Sequence, residues 1–209
     1  MHLDESAILW SAPERERSGR PLLVLLHGYG SHEGDLFSMS PGLPLGPVIA
    51  SVRAPLPESG GYAWWSLAGQ TTPGEPDPAA VDLAAGAIIE WLDKQQYTTV
   101  STLGFSQGGA MALQLLRHAP ARFAATVCIS GFVAPASHPG DAELATVRPK
   151  VFWGRGTADP VIPDAAVNRT AECLPEHADA TIRIYEDLGH AISREELTDF
   201  AGYLSQNPA

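Results

Sequence analysis

Short unbroken apolar runs alternate along this chain with longer stretches whose apolar residues recur at helical spacing. The clearest run is Leu22-Leu23-Val24-Leu25-Leu26, which ends at His27-Gly28. It predicts a strand over 22–26 that is buried on both faces. Residues 48–52 predict a second strand, closed by Pro55 and Pro57. Asp77-Pro78 then offers an N-cap followed by a proline in the first helical position. Behind it Val81, Ala84, Ala85, Ile88, Trp91 and Leu92 keep to one helical face. Further strands are predicted over 99–105, 123–132, from 150 onward and over 181–185. Helices are predicted over 107–118, 163 to about 174, and about 193–205. Strands alternating with helices mean parallel strands joined by crossovers. The expected fold class is α/β, with a mostly parallel central sheet and helices on both faces. No repeat or linker interrupts the pattern, so residues 1–209 read as a single domain. The most irregular stretch, 55–76, is rich in Gly, Pro and aromatics. A long loop in a compact domain is usually functional or mobile, which makes it a candidate substrate wall.

Composition narrows the function. The 209 residues are 44% hydrophobic and 18% charged, which excludes a disordered, highly charged chain. Thirteen Lys and Arg face 24 Asp and Glu, for a net charge of −11. A nucleic-acid partner needs a basic footprint, and so does charge-driven docking on an anionic membrane; neither is expected here. The two cysteines form no disulfide framework. Cys128 lies in an apolar run and reads as a buried reduced thiol, with a pairing to Cys173 left open. No segment approaches the ~18 apolar residues of a membrane span. The acidic N-terminus lacks signal-peptide features. These points together predict a cytoplasmic protein.

The candidate chemistry begins at Gly104-Phe105-Ser106-Gln107-Gly108, a G-x-S-x-G motif. The motif alone is weak, because a plain tight turn with a capping serine would look the same. Here it sits between a predicted strand and a predicted helix, the context the chemistry needs. A serine hydroxyl is a poor nucleophile unless a base takes its proton and the oxygen stands clear of the backbone. A sharp strand-to-helix turn with small neighbours achieves the second condition. Acyl transfer also needs fixed donors for the oxyanion. One is expected from the backbone N–H of Gln107. The other is expected from Tyr29, in the His27-Gly28-Tyr29-Gly30 turn after the first strand. His27 reads as a support for that turn rather than as a base.

In an α/β fold of this kind the order of the remaining groups is acid, then histidine. Asp159 follows the strand that starts at Lys150 and is the preferred acid. Asp164 opens the next helix and reads as dipole chemistry. His190 follows the last predicted strand and is the preferred base. Its Nε2 would take the Ser106 proton while Asp159 orients Nδ1, so the rate is expected to fall at low pH as His190 protonates. His2, His32, His118, His138 and His177 are placed less well. Trp64 and Trp65 in the irregular stretch are candidate substrate-binding residues, with core packing as the other reading. Met111 and Leu115 read as core.

These pieces together resemble the phospholipase/carboxylesterase family of α/β-hydrolases, which includes bacterial carboxylesterases and acyl-protein thioesterases. The matching segments are LLHGYG (25–30), LGFSQGGAMAL (103–113), GTADPVIP (156–163) and LGHAISREEL (188–197), spread over most of the chain. The resemblance implies a serine hydrolase that cleaves carboxylic esters, carboxylesterase- or lysophospholipase-like, through an acyl-enzyme and without cofactor or metal. Ser106, Asp159 and His190 would be its triad, and Tyr29 and Gln107 its oxyanion donors. An acyl thioesterase using the same site is the alternative, and a non-catalytic binding module on the same fold is a third reading. Some members form dimers, which leaves a homodimer open. Relatives place an aromatic, often followed by an acidic residue, where this chain has Trp64, Trp65 and Ser66. The stretch 132–150 is too short for the helical cap of many lipases, so no cap domain and an open site are expected.

Overall fold

The computed structural model describes residues 1–69, 72, 74–97 and 99–208. In chain order its elements are β1 (Leu9–Trp10), β2 (Leu22–Leu26), α1 (Gly34–Phe37), β3 (Val48–Val52), β4 (Leu56–Glu58), β5 (Gly61–Ala63) and α2 (Pro78–Lys94). Then follow β6 (Val100–Phe105), α3 (Gln107–His118), β7 (Phe123–Ile129), α4 (Asp141–Val147), β8 (Lys150–Gly156), α5 (Asp164–His177), β9 (Asp179–Tyr185) and α6 (Arg194–Gln206). Seven strands form one sheet in the order β1-β3-β2-β6-β7-β8-β9. All neighbours in it are parallel except β1, which pairs antiparallel with β3.

The period of two explains why β2 is apolar throughout. Leu22, Val24 and Leu26 point into one hydrophobic cluster, with Val81, Ile88, Trp91, Met111, Leu115 and Leu174 from α2, α3 and α5. Leu23 and Leu25 point into a second, with Leu36, Phe200 and Leu204 from α1 and α6. Helices therefore cover both faces, and a central strand has no solvent side on which to place polar residues. The predicted face of α2 is buried as expected, and Asp77 caps it by accepting the Ala79 N–H at 3.0 Å. Met111 and Leu115 are core.

Several boundaries differ from the sequence reading. The strand expected to reach residue 132 stops at Ile129. Ser130 turns out of the sheet with a φ of 45°, and Phe132 then faces the cavity described below. Helix α5 continues through Pro175 to His177. The Arg148 guanidinium donates to the carbonyls of Pro175, Glu176 and Ala178 at 2.8–3.0 Å, satisfying the end of the helix. The irregular stretch 55–76 contains a hairpin, β4–β5, which turns at Ser59-Gly60 with both residues at positive φ. Gln70, Thr71 and Pro73 of that stretch lie outside the described residues. The strand β1 and the helices α1 and α4 carry too few residues to register as periodic patterns.

Candidate active site

Topology selects the location. The chain leaves β2 toward β3 on one side and leaves β6 toward β7 on the other. Such a switch point opens a crevice at the carboxyl ends of the two strands. The turn 27–30 follows β2, and Ser106 follows β6. The loops after β8 and β9 open on the same edge and bring Asp159 and His190 to it.

Ser106 is 8% exposed and has φ 56° and ψ −118°, a conformation a side-chain-bearing residue holds only under constraint. Its N–H donates to the Ile129 carbonyl at 2.8 Å. The flanking glycines make room for this turn. A Cβ on Gly104 would run into the Gly108 carbonyl, and one on Gly108 would run into the Leu26 carbonyl. The motif is therefore a three-way backbone contact between β6, α3 and the end of β2.

The structure brings Ser106, Asp159 and His190 together. His190 Nε2 lies 2.9 Å from Ser106 Oγ, across 84 residues of sequence. His190 Nδ1 lies 2.7 Å from Asp159 Oδ2. A carboxylate only accepts, so the imidazole proton sits on Nδ1 and Nε2 is free to accept from the serine. Asp159 Oδ1 accepts the N–H groups of Val161 and Ile162 at 2.8 and 3.3 Å. The Phe105 ring packs on the imidazole, centroids 4.9 Å apart. The two loops are tied together, Ala158 N–H to the Leu188 carbonyl at 3.0 Å and Asp187 N–H to Thr157 Oγ1 at 2.9 Å. Asp164 is the first residue of α5 and stands apart from this chain of bonds.

Tyr29 and Gln107 both line the crevice beside Ser106. Among the described residues neither backbone N–H has a hydrogen-bond acceptor. His27 is fully buried, its Nε2 accepting the Ala54 N–H at 3.0 Å and its Nδ1 lying 2.8 Å from the Gly28 carbonyl. That pattern defines the neutral Nδ1–H tautomer, and burial lowers its pKa. His27 braces the turn, as expected, and has no nitrogen left for proton transfer.

The hairpin supplies what the sequence reading missed. Gly30 N–H donates to the Tyr62 carbonyl at 2.9 Å, and Tyr62 N–H to the Ser31 carbonyl at 2.8 Å. Glu58 accepts from the Tyr29 hydroxyl at 3.0 Å and from the Ser66 hydroxyl and Leu67 N–H at 3.1 Å. Burial works against its ionised form, but these bonds outweigh it and lower the pKa. Ser59-Gly60 is a readable turn signal, yet its three-residue strands are too short to show alternation.

The two tryptophans separate. Trp65 lines the cavity. Trp64, expected beside it at the wall, is fully buried in the core instead. Its indole N–H donates to the His27 carbonyl at 2.9 Å, which holds the ring behind the turn. The cavity measures about 400 Å³. Tyr29, Trp65, Leu67, Phe132, Val161 and Ile162 line it around Ser106 and His190.

Away from this crevice, ligand atoms of Asp82, His118 and His138 lie within 4.8 Å of one another. His138 Nδ1 accepts the Gly140 N–H at 3.0 Å, so its proton sits on Nε2. That nitrogen faces Asp82 at 3.8 Å, and His118 Nε2 faces the same carboxylate oxygen at 3.2 Å. His118 therefore hydrogen-bonds Asp82, and His138 turns an N–H rather than a lone pair toward it. Cys128 and Cys173 are both free thiols, and burial pushes the Cys128 pKa up. No helix among the described residues is long and apolar enough to cross a membrane.

Comparison with known proteins agrees with this architecture. Residues 12–207 match the family model described as Phospholipase/Carboxylesterase. The chain is 29% identical to Esterase YpfH of Escherichia coli, covering 87% of this chain and 81% of that protein. It is 26% identical to Acyl-protein thioesterase 1 of Mycosarcoma maydis, covering 98% and 87%. The solved carboxylesterase of Bacillus cereus superposes with a TM-score of 0.80 at 22% identity, covering 96% of this chain and 94% of that one. The chain therefore belongs to the phospholipase/carboxylesterase family of α/β-hydrolases, enzymes that hydrolyse ester bonds.

Proposed function

We propose that this protein is a serine hydrolase in which Ser106 attacks the carbonyl of a small carboxylic ester. His190 Nε2 takes the Ser106 proton as the Oγ–C bond forms. Asp159 holds the imidazole in register and stabilises the cation. The Tyr29 and Gln107 N–H groups receive the oxyanion. Collapse of the tetrahedral intermediate breaks the bond to the leaving oxygen, which leaves as an alcohol with the proton from His190. Water, deprotonated by the same histidine, then cleaves the acyl-Ser106 ester, releases the acid and restores the serine. The single observation that carries this reading is the unbroken chain Ser106 Oγ, His190 Nε2, His190 Nδ1, Asp159 Oδ2, with steps of 2.9 and 2.7 Å. A thioester would follow the same steps with a thiol as leaving group, and likeness to an acyl-protein thioesterase favours testing it. Two free cysteines fit a reducing compartment, the cytoplasm.

The test needs no knowledge of the substrate. Fluorophosphonate treatment followed by intact-mass measurement should add one adduct to the wild type and none to Ser106→Ala. The same substitution should remove nearly all ester turnover, leaving at most ~10³–10⁴-fold over water. A folded wild type that takes no adduct overturns the reading. Paired oxygen esters and thioesters of one acyl group then decide between the two leaving groups.

A further inference from the structure

The side chain of Gln107 makes two hydrogen bonds that the reaction does not require. Its Oε1 accepts the Trp64 N–H at 2.8 Å, and its Nε2 donates to the Trp65 carbonyl at 2.8 Å. Gln107 is 4% exposed, so both bonds are shielded from water. They join the first residue of α3 to the chain just beyond β5, where no sheet partner is left to pair the backbone. Without Gln107 a buried donor and a buried acceptor would stand unpaired, an arrangement folded proteins avoid.

The clamped residue is Trp65, the large aromatic of the cavity wall. Its ring meets Phe132 edge to face, centroids 6.5 Å apart. Its buried indole N–H has no hydrogen-bond partner among the described residues, so no polar anchor of its own fixes the ring. The backbone clamp and the Phe132 contact hold it.

We infer that the Gln107 side chain is a positioning residue that fixes Trp65 as the end wall of the acyl pocket and so limits the length of the acyl group. The inference rests on the esterase reading above. The leaving oxygen has to lie beside His190 to receive its proton, and on this inference the acyl group sits against Trp65 and Phe132, two apolar residues of the cavity lining. A hydrophobic pocket discriminates by about 10–200-fold per methylene when the wall is firm, and far less when it yields. One residue thus serves two ends, its backbone N–H facing the oxyanion and its side chain setting the reach of the pocket.

The experiment compares wild type with Gln107→Ala, Gln107→Met, Gln107→Glu, Trp65→Ala and the Gln107→Ala/Trp65→Ala double variant. Kcat and KM are measured on 4-nitrophenyl esters from acetate to decanoate. The readout is the ratio of kcat/KM for octanoate over acetate, because overall turnover also reflects the oxyanion donor. Gln107→Ala and Gln107→Met should each raise this ratio at least about tenfold, chiefly through a lower KM for the long ester. Met fills the space of Gln without its bonds, so a wild-type ratio in Met would assign the effect to volume and overturn the clamp. Gln107→Glu keeps the acceptor for Trp64 and should fall between. The double variant should not exceed Trp65→Ala alone.

Amide hydrogen exchange gives a second readout that needs no activity. The Trp64 N–H should exchange at least about tenfold faster in Gln107→Ala and Gln107→Met, and unchanged exchange with an unchanged ratio overturns the inference. A wild type that neither hydrolyses esters nor takes a fluorophosphonate overturns the esterase reading, and the exchange rates still decide the clamp.

Discussion

Asp159 and Glu196 are two carboxyl groups in the same half of the molecule with opposite surroundings. Asp159 is held by two backbone N–H groups and an imidazole. Its replacement by Asn would keep the shape but invert the tautomer of His190, so Asp159→Asn should lower kcat by about 10³–10⁴-fold, read from steady-state ester hydrolysis. Glu196 is fully buried beside Gly154, and among the described residues neither of its oxygens has a hydrogen-bond partner. Burial pushes its pKa up to about 7; the backbone at Ser193 opposes the rise and the Asp199 charge adds to it. Cys128, Tyr185 and Asp199 are titratable groups that interact with it. An unfolded Glu titrates near ~4.3, so between that value and 7 the folded chain holds a proton that the unfolded chain has released. Stability from this group is complete below the unfolded pKa and declines as pH rises through that window, by up to about 4 kcal/mol. Glu196→Gln should flatten this decline. Calorimetry at pH 5 and pH 8 should show a larger loss of Tm on raising the pH for wild type than for the variant.

At the scale of the element, the strand-turn-helix around Ser106 was legible because its glycines are a backbone requirement written into the sequence. Gly108→Ala would set a Cβ against the Leu26 carbonyl, and backbone on both sides leaves nothing flexible to yield. We expect a loss of about 3 kcal/mol or more, a fall in Tm of about 6 °C or more by calorimetry, and failure of Ser106 to take a fluorophosphonate. Helix α2 was equally legible, since seventeen residues give its period time to repeat. The hairpin β4–β5 was not, and neither was the two-residue β1. Short elements owe their form to the neighbours they pair with, here Ser31 and Gly30 for the hairpin and β3 for the edge strand. The early end of β7 and the passage of α5 through Pro175 belong with them. Each is decided by a distant partner, the β8 backbone at Gly154 for Ser130 and the Arg148 guanidinium for the helix end.

Over the whole molecule, the crevice lies where the sheet changes winding direction, and the segment between β7 and β8 bears on how open it is. Its one helix, α4, packs on α5 and α3, and of the residues 130–149 only Phe132 lines the cavity among those described. On the open-site reading, which rests on Phe132 alone of this segment lining the cavity, the rate should rise smoothly as a short-chain ester passes its micelle threshold. A sharp activation at that concentration, measured by titration of substrate through the threshold, would contradict the open-site reading. The order of the pieces along the chain, a glycine turn after the first strand, a serine at a strand-helix junction, an aspartate and a histidine after later strands, was set by local chemistry and could be read residue by residue. Parallel strands and two-sided burial followed from the same pattern, because apolar runs with no polar side have to be covered on both faces. What only the tertiary structure decided is which tryptophan lines the cavity, how the Gln107 side chain ties that segment to the Ser106 turn, and why burial raises the Glu196 pKa. Those outcomes depend on side chains from separate elements competing for one buried space, and no local pattern records which neighbour occupies it.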